Sequence, residues 1–345
     1  MLTGFLSCNE NTTAPPTGGN SDAVVNGVYI LNEGNFGDPE GTRLSLYDID
    51  GDTVYRDVYE NANGGMHLGS LGDDIRISAD KIYILMSGSG GGLQVINLSD
   101  HKAVQSSPFA GSNPHDLLID AARNKAYLTR LSYGSLLVID LTTLQPLDTI
   151  SVGANPQGLF LFNDRLFVCN SGYGNDRTVS IINVLSDAVE GMLTLSDGPT
   201  GIVLAGDGRL WVSCTGNAFG TPPTPGAVYV INPVTTMVED SILFLENLWG
   251  PIAAGTDGSV YVLGVSPGSL GGPVHRITSA TLSLSPNFIP GAFYALAVDS
   301  LTGEVYAADV GDFTADGEVD IFKPDGSFQN KFDVEIGPGA FAFKH

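Results

Sequence analysis

Basic residues are scarce in this chain. It has 15 Lys and Arg against 38 Asp and Glu, a formal charge of −23 over 345 residues. Neutralising a phosphate backbone needs clustered Lys and Arg, so nucleic-acid binding is excluded, and anionic lipid surfaces repel the chain. Cysteine is scarce too. Three residues cannot make a disulfide framework. Cys169 and Cys214 end the strand-like runs "LFVCN" and "LWVSC" at offsets that differ by one residue, so they are expected as free, buried thiols on opposite faces of their strands. No run approaches the roughly 18 apolar residues of a membrane helix. No window keeps a 3.6-residue apolar period, so helices are not expected. A nucleophile elbow, a phosphate loop and a matched carboxylate pair are also missing, and binding is a better expectation than catalysis.

What the chain has instead is 44 Gly and 19 Pro, nearly a fifth of its residues, with 43% apolar content. Without a collagen period, that mixture describes short strands joined by tight turns. One unit repeats: an apolar residue, an aromatic, then an aliphatic or small residue. It appears at Tyr29, Tyr83, Tyr127, Phe167, Trp211, Tyr261 and Tyr306. The spacing is about 46 residues, the period of a four-stranded propeller blade. A second strand follows each aromatic one ("LSLYD", "LQVIN", "LLVID", "VSIIN", "VYVIN", "VHRIT", "VDIFK"). A leading strand precedes six of them ("DIRIS", "DLLID", "GLFLF", "GIVLA", "PIAAG", "ALAVD"). The seventh leading strand is "AFAF" at the C-terminus. The expected fold is therefore all-β, a seven-bladed β-propeller over residues 24–345 whose C-terminal strand completes the N-terminal blade and removes an open edge.

Residues 1–23 read differently. "MLTGFLSC" is followed by the Pro/Gly/Ser/Thr/Asn tether "NENTTAPPTGGNSD", which lacks the apolar surface to fold. The pair resembles the end of a bacterial lipoprotein signal with Cys8 as the lipidated residue, although the basic n-region is missing and the apolar stretch is short. The alternative is a plain unstructured N-terminus. If Cys8 carries lipid, the protein sits at the outer membrane, surface-exposed or facing the periplasm.

Loop lengths point to one face of the propeller. Connections from leading to aromatic strand are short and polar, with Asp-Gly pairs suited to tight hairpins. Connections from the aromatic strand to the next are long and varied, and they share a face with the inter-blade loops. Binding residues concentrate on loops carried by a rigid scaffold. The long loops place Asn35, Phe36, Arg130, Tyr133, Tyr173, Asn175, Phe219 and Phe313 on this face, and the inter-blade loops add His67, Trp249, Phe293 and Tyr294. Such a ring of flat surfaces with polar groups between them suits a large, partly planar ligand or a protein partner. Alternatively, the aromatics fold back to cover the blade tops.

Of five histidines, His67 and His115 are placed to face the channel mouth. His115 with Asp116, and Asp73 with Asp74, could form an oxygen-rich metal site or could cap turns. "DFTADGEVD", Asp312 to Asp320, looks like a calcium loop but has Lys323 where an EF-hand has its twelfth-position Glu. No other cofactor is expected, and the propeller is expected to be monomeric.

At "VYILNEGNFG", "KAYLTR…LLVIDLTT", "GANPQGL…LFVCNSG" and "GPGAFAF", residues 27–345 resemble the YncE-like, YVTN-type propellers, and in particular the DUF5074 surface lipoproteins of Bacteroidetes. That resemblance implies capture of cobalamin or another corrinoid and its transfer to a TonB-dependent outer-membrane receptor. Two other readings stay open: an envelope interaction or scaffold propeller, and a metal-dependent propeller enzyme built on His115 and its neighbouring aspartates.

Overall fold

The computed structural model describes residues 21–88, 91–108 and 113–345. Cys8 lies outside the described residues. The strands form seven four-stranded antiparallel sheets. Six are built from consecutive strands. The seventh pairs Pro338–Lys344 with Gly27–Asn32, followed by Arg43–Asp48 and Thr53–Tyr55. Every expected leading strand is present, and "AFAF" is the inner strand of blade 1, with Phe341 opposite Ile30 and Phe343 opposite Val28. The inner strands of blades 2 to 7 are Gly72–Ser78, Pro114–Asp120, Pro156–Phe162, Pro199–Leu204, Leu248–Ala254 and Ala295–Val298.

The core is divided among the seven seams between blades, and each seam has its own buried cluster. The repeat aromatic explains the division. Tyr29, Tyr83, Tyr127, Phe167, Trp211, Tyr261 and Tyr306 each fall in a different cluster, packed against the next blade. Three tyrosines also bond to the third-to-fourth strand turn of that next blade. Tyr29 Oη lies 2.7 Å from His101 Nε2, Tyr127 Oη donates to Asp187 at 3.2 Å, and Tyr261 Oη donates to the Pro324 carbonyl at 3.2 Å. A phenol gives a large apolar body with one polar tip, and here the tip fixes the angle between blades. The seam between blades 7 and 1 joins Tyr306, Ala308 and Val319 to Val28, Ile30 and Tyr47.

Cys169 and Cys214 are free and buried, and they share the seam between blades 4 and 5. They approach it from the two sides, because Cys169 shares its face with Phe167 while Trp211 lies on the face opposite Cys214. Burial pushes both thiols up.

The sequence suggested no helix, but a five-residue one, Val58–Ala62, is present in the connection from blade 1 to blade 2. Five residues are too few for an apolar period to show. Val58 and Tyr59 bury against the first seam beside a fourth strand of three residues, Thr53–Tyr55. Tertiary packing stabilises this turn where propensity alone would not.

Two outcomes follow from the seams. Trp211→Ala should cost about 3–5 kcal/mol in urea unfolding, because the fully buried indole leaves a cavity that the sheets cannot close. A chain ending before Gly337 exposes the edge of Gly27–Asn32 and should elute as soluble aggregate with its near-ultraviolet dichroism lost. A monomeric, cooperatively unfolding truncation would contradict closure as the stabilising device.

Candidate functional site

One face carries short turns such as 79–80, 163–164 and 184–187; the other carries 33–42, 56–71 and 215–226. On the long-loop face the aromatics divide into two sets. Phe36, Tyr133, Tyr173 and Phe219 stand at loop tips, with Phe36 84% and Phe219 97% exposed. Local structure holds them up. Tyr173 takes a left-handed conformation (φ 50°) in a turn where its N–H donates to Ser171 Oγ at 3.3 Å. Phe219 rides on the loop 215–226, closed by a bridge between Asn217 and Thr224, and its N–H donates to Asn217 Oδ1 at 3.1 Å. Asn217 Nδ2 donates in turn to Asn175 Oδ1 at 3.1 Å, which ties the loops of blades 4 and 5 together. The Arg130 guanidinium lies 4.2 Å from the Tyr133 ring centroid, with its Nε buried and unpartnered among the described residues. Asn35 is exposed beside Phe36.

The second set is packed at the channel mouth. The Tyr294 ring lies 5.7 Å from Trp249 and 5.4 Å from Phe313, centroid to centroid, and all three are half-buried. Glu33 completes the group by accepting a hydrogen bond from the Tyr294 hydroxyl. Two C-terminal glycines make room for it. A Cβ at Gly339 would stand 2.5 Å from Glu33 Oε1, and one at Gly337 (φ 74°) would stand 2.7 Å from the Phe313 ring. The strand that closes the ring therefore also makes room for side chains at the channel mouth. Burial pushes the Glu33 carboxyl up to about 7. Asp73, the second residue of its inner strand, is raised well above the ordinary carboxylate range by burial and by the charge on Glu33, against a hydrogen bond from Ser87.

His115 holds the corresponding place in blade 3, with Nδ1 3.9 Å from Asp73 Oδ1, and Gln157 follows in blade 4. Glu33 and Gln157 were not singled out from sequence. A signal was available for Gln157, which occupies the same strand position as His115 in the aligned loops "NPHD" and "NPQG".

Other expected members are placed elsewhere. Phe293 is buried in the seam of blades 6 and 7, so it is core and not surface. His67 sits outward, 3.6 Å from Glu40 and 3.7 Å from Glu60, beside the short helix. Asp116 is not available as a ligand. Its Oδ1 lies 2.9 Å from Arg76 Nη2, and its Oδ2 accepts the Leu159 N–H at 2.8 Å. Asp74 pairs with the same arginine and accepts the Leu117 N–H at 2.8 Å, so these acids stitch blades 2, 3 and 4 together. The acids of residues 312–320 do not converge: Asp312 caps Thr314, Asp316 pairs with Arg56, and Glu318 pairs with Lys331. No group of three His, Cys, Asp or Glu among the described residues is arranged to hold a metal ion.

The chain belongs to the DUF5074 family, a domain of unknown function whose model matches residues 26–220. No curated protein matches it. Among solved structures it is similar to a quinonprotein alcohol dehydrogenase-like protein from Bacteroides thetaiotaomicron (17% identity, 93% of this chain and 79% of that one, TM-score 0.70). It is also similar to a protein from Lactobacillus plantarum (16% identity, 93% and 100%, TM-score 0.69) and to virginiamycin B lyase from Staphylococcus aureus (15% identity, 79% and 92%, TM-score 0.58). At these identities the likeness establishes the propeller fold alone.

Glu33 gives a pH test. Its folded pKa is raised, so the native state holds a proton that the unfolded chain gives up from about pH 4.5, and stability falls as pH rises from there through about 7. Glu33→Gln should remove this fall, leaving the variant more stable than the parent at pH 8.5 by roughly 2–3 kcal/mol and with no such advantage at pH 4. Parallel stability–pH curves for the two proteins would count against a buried, proton-holding Glu33.

Proposed function

We propose that this propeller is a capture protein that binds a large, partly planar ligand, most fittingly cobalamin or another corrinoid, and releases it chemically unchanged. The observation that carries the reading is the set of four exposed aromatic tips, Phe36, Tyr133, Tyr173 and Phe219, standing on one face beside a partly polar channel mouth. Exposed aromatic rings are costly in water unless something covers them, and they make effective anchors when covered. Asn35, Arg130 and Asn175 supply hydrogen-bonding groups between the rings, suited to the amide-bearing rim of a corrin. In this reading the ligand passes to a TonB-dependent outer-membrane receptor, and a lipid on Cys8 holds the protein at the outer membrane through the tether before residue 24. Family membership and the resemblance in "VYILNEGNFG" and "GPGAFAF" support the corrinoid assignment.

A second reading, an interaction propeller of the cell envelope, has its own observation. The outer strands and adjoining turns of blades 4 and 5 expose Leu185, Met192, Val234, Met237, Leu243 and Leu245. Apolar surface of this kind fits a protein partner.

Calorimetric titration with cyanocobalamin, and with cobinamide lacking the nucleotide tail, tests the first reading. One-to-one binding is expected, with Tyr173→Ala and Phe219→Ala each weakening it by about 1–3 kcal/mol. No heat at tens of micromolar ligand, together with capture of a defined envelope protein, would favour the second reading.

A further inference from the structure

At the channel mouth the direction of the hydrogen bonds can be followed among the described residues. Ser171 Oγ donates to the Asn155 carbonyl at 3.0 Å, so it accepts from Gln157 Nε2, also at 3.0 Å. That leaves Gln157 Oε1 to accept from His115, with which the amide side chain is hydrogen-bonded. His115 Nδ1 has no partner among the described residues, so the bonded nitrogen is Nε2, and Nε2 carries the hydrogen. Nδ1 is then a bare lone pair, 3.9 Å from the Asp73 carboxylate. Asp73 Oδ2 is buried and also lacks a partner among the described residues. Glu33, electrostatically coupled to Asp73, takes its hydrogen bond from Tyr294.

Three titratable groups from three blades thus stand together, and with no cation between them the two acids are driven to hold protons, which an entering cation would displace. The rings of Trp249, Tyr294 and Phe313 stand beside them.

We propose that the channel mouth is a subsite for a protonated amine, whose N–H groups are shared by Asp73 Oδ2, His115 Nδ1 and Glu33 while its hydrocarbon lies on the Trp249–Tyr294–Phe313 surface. An ammonium group offers three N–H donors and a positive charge that lets the two acids release their protons, and aromatic faces favour an organic cation. The chain's net charge of −23 draws cations towards the propeller. A divalent metal fits less well, because the acids and His115 are not gathered into a coordination set. The subsite does not depend on the corrinoid assignment.

The protein reports on this site by itself. Of its two tryptophans, Trp211 is wholly buried in the seam of blades 5 and 6, whereas Trp249 is at the mouth. The full chain is titrated with 2-phenylethylamine and with its neutral analogue 2-phenylethanol, and tryptophan fluorescence is followed. The amine should give a saturable change, absent from Trp249→Phe, with an affinity at least tenfold above that of the alcohol. Asp73→Asn should lower the amine affinity at least tenfold and raise the melting temperature, since the new amide can donate to His115 Nδ1. Glu33→Gln provides a second variant with the same expected loss of amine binding.

Equal affinity for amine and alcohol, or unchanged amine affinity in both folded variants, would overturn the proposal. So would saturation by zinc or manganese chloride with no response to the amine. Neither organic probe contains a corrin, so this outcome and that of the cobalamin titration are read separately.

Discussion

The propeller depends on one repeated contact, the aromatic of each second strand wedged into the seam with the next blade. A four-stranded sheet has two faces, and its inward-facing residues alternate between them. Each blade must therefore bury both faces against neighbours, and a linear row would leave two faces bare. Seven wedges, from Tyr29 to Tyr306, occupy seven seams, and the last holds only because Pro338–Lys344 pairs with Gly27–Asn32. Burial of this kind supplies the main favourable term, while the tyrosine hydroxyls that reach the neighbouring turn set the geometry.

Closure and site are one piece of construction. The segment that brings the final strand into blade 1 carries Gly337 and Gly339, and both approach side chains of the channel mouth too closely to bear a Cβ. Glu33, Phe313 and Tyr294 meet there from blades 1 and 7, so the mouth exists only in the closed ring. Polar groups inside the channel serve two purposes. Asp74, Arg76 and Asp116 are mutually satisfied and join three blades. Asp73, one residue before Asp74, stands outside that network with one oxygen unpartnered among the described residues. The register shifts between Gly72 and Asp74, a β-bulge that leaves Asp73 without a partner in the ladder and so separates the structural acid from the one left for a ligand.

The outer surface carries the acidic excess on exposed strands and turns. Some of these acids are absorbed locally, as Asp140 is by Thr142 and Thr143 and Asp325 by Ser327. Such caps order the turns without building a charged site, and exposed pairs of this sort add little to stability.

The blade number, the strand order within each blade, the closing strand and the face with long loops are all legible in the linear chain. All of these rest on local alternation and a regular period, which a linear reading can follow. The sequence also marked Trp249, Tyr294 and Phe313 as candidates, and the structure brings these three together. It could not separate exposed tips from packed rings: Phe219 stands free in a loop and Phe293 ends a strand as core, although both sit near glycines in the sequence. Nor could it show that Asp116 is spent on Arg76 while Asp73 is not, or that Glu33 lies against Tyr294. Those outcomes are set by contacts between blades far apart in the chain, and only the closed ring, which fixes how neighbouring blades meet, decides them.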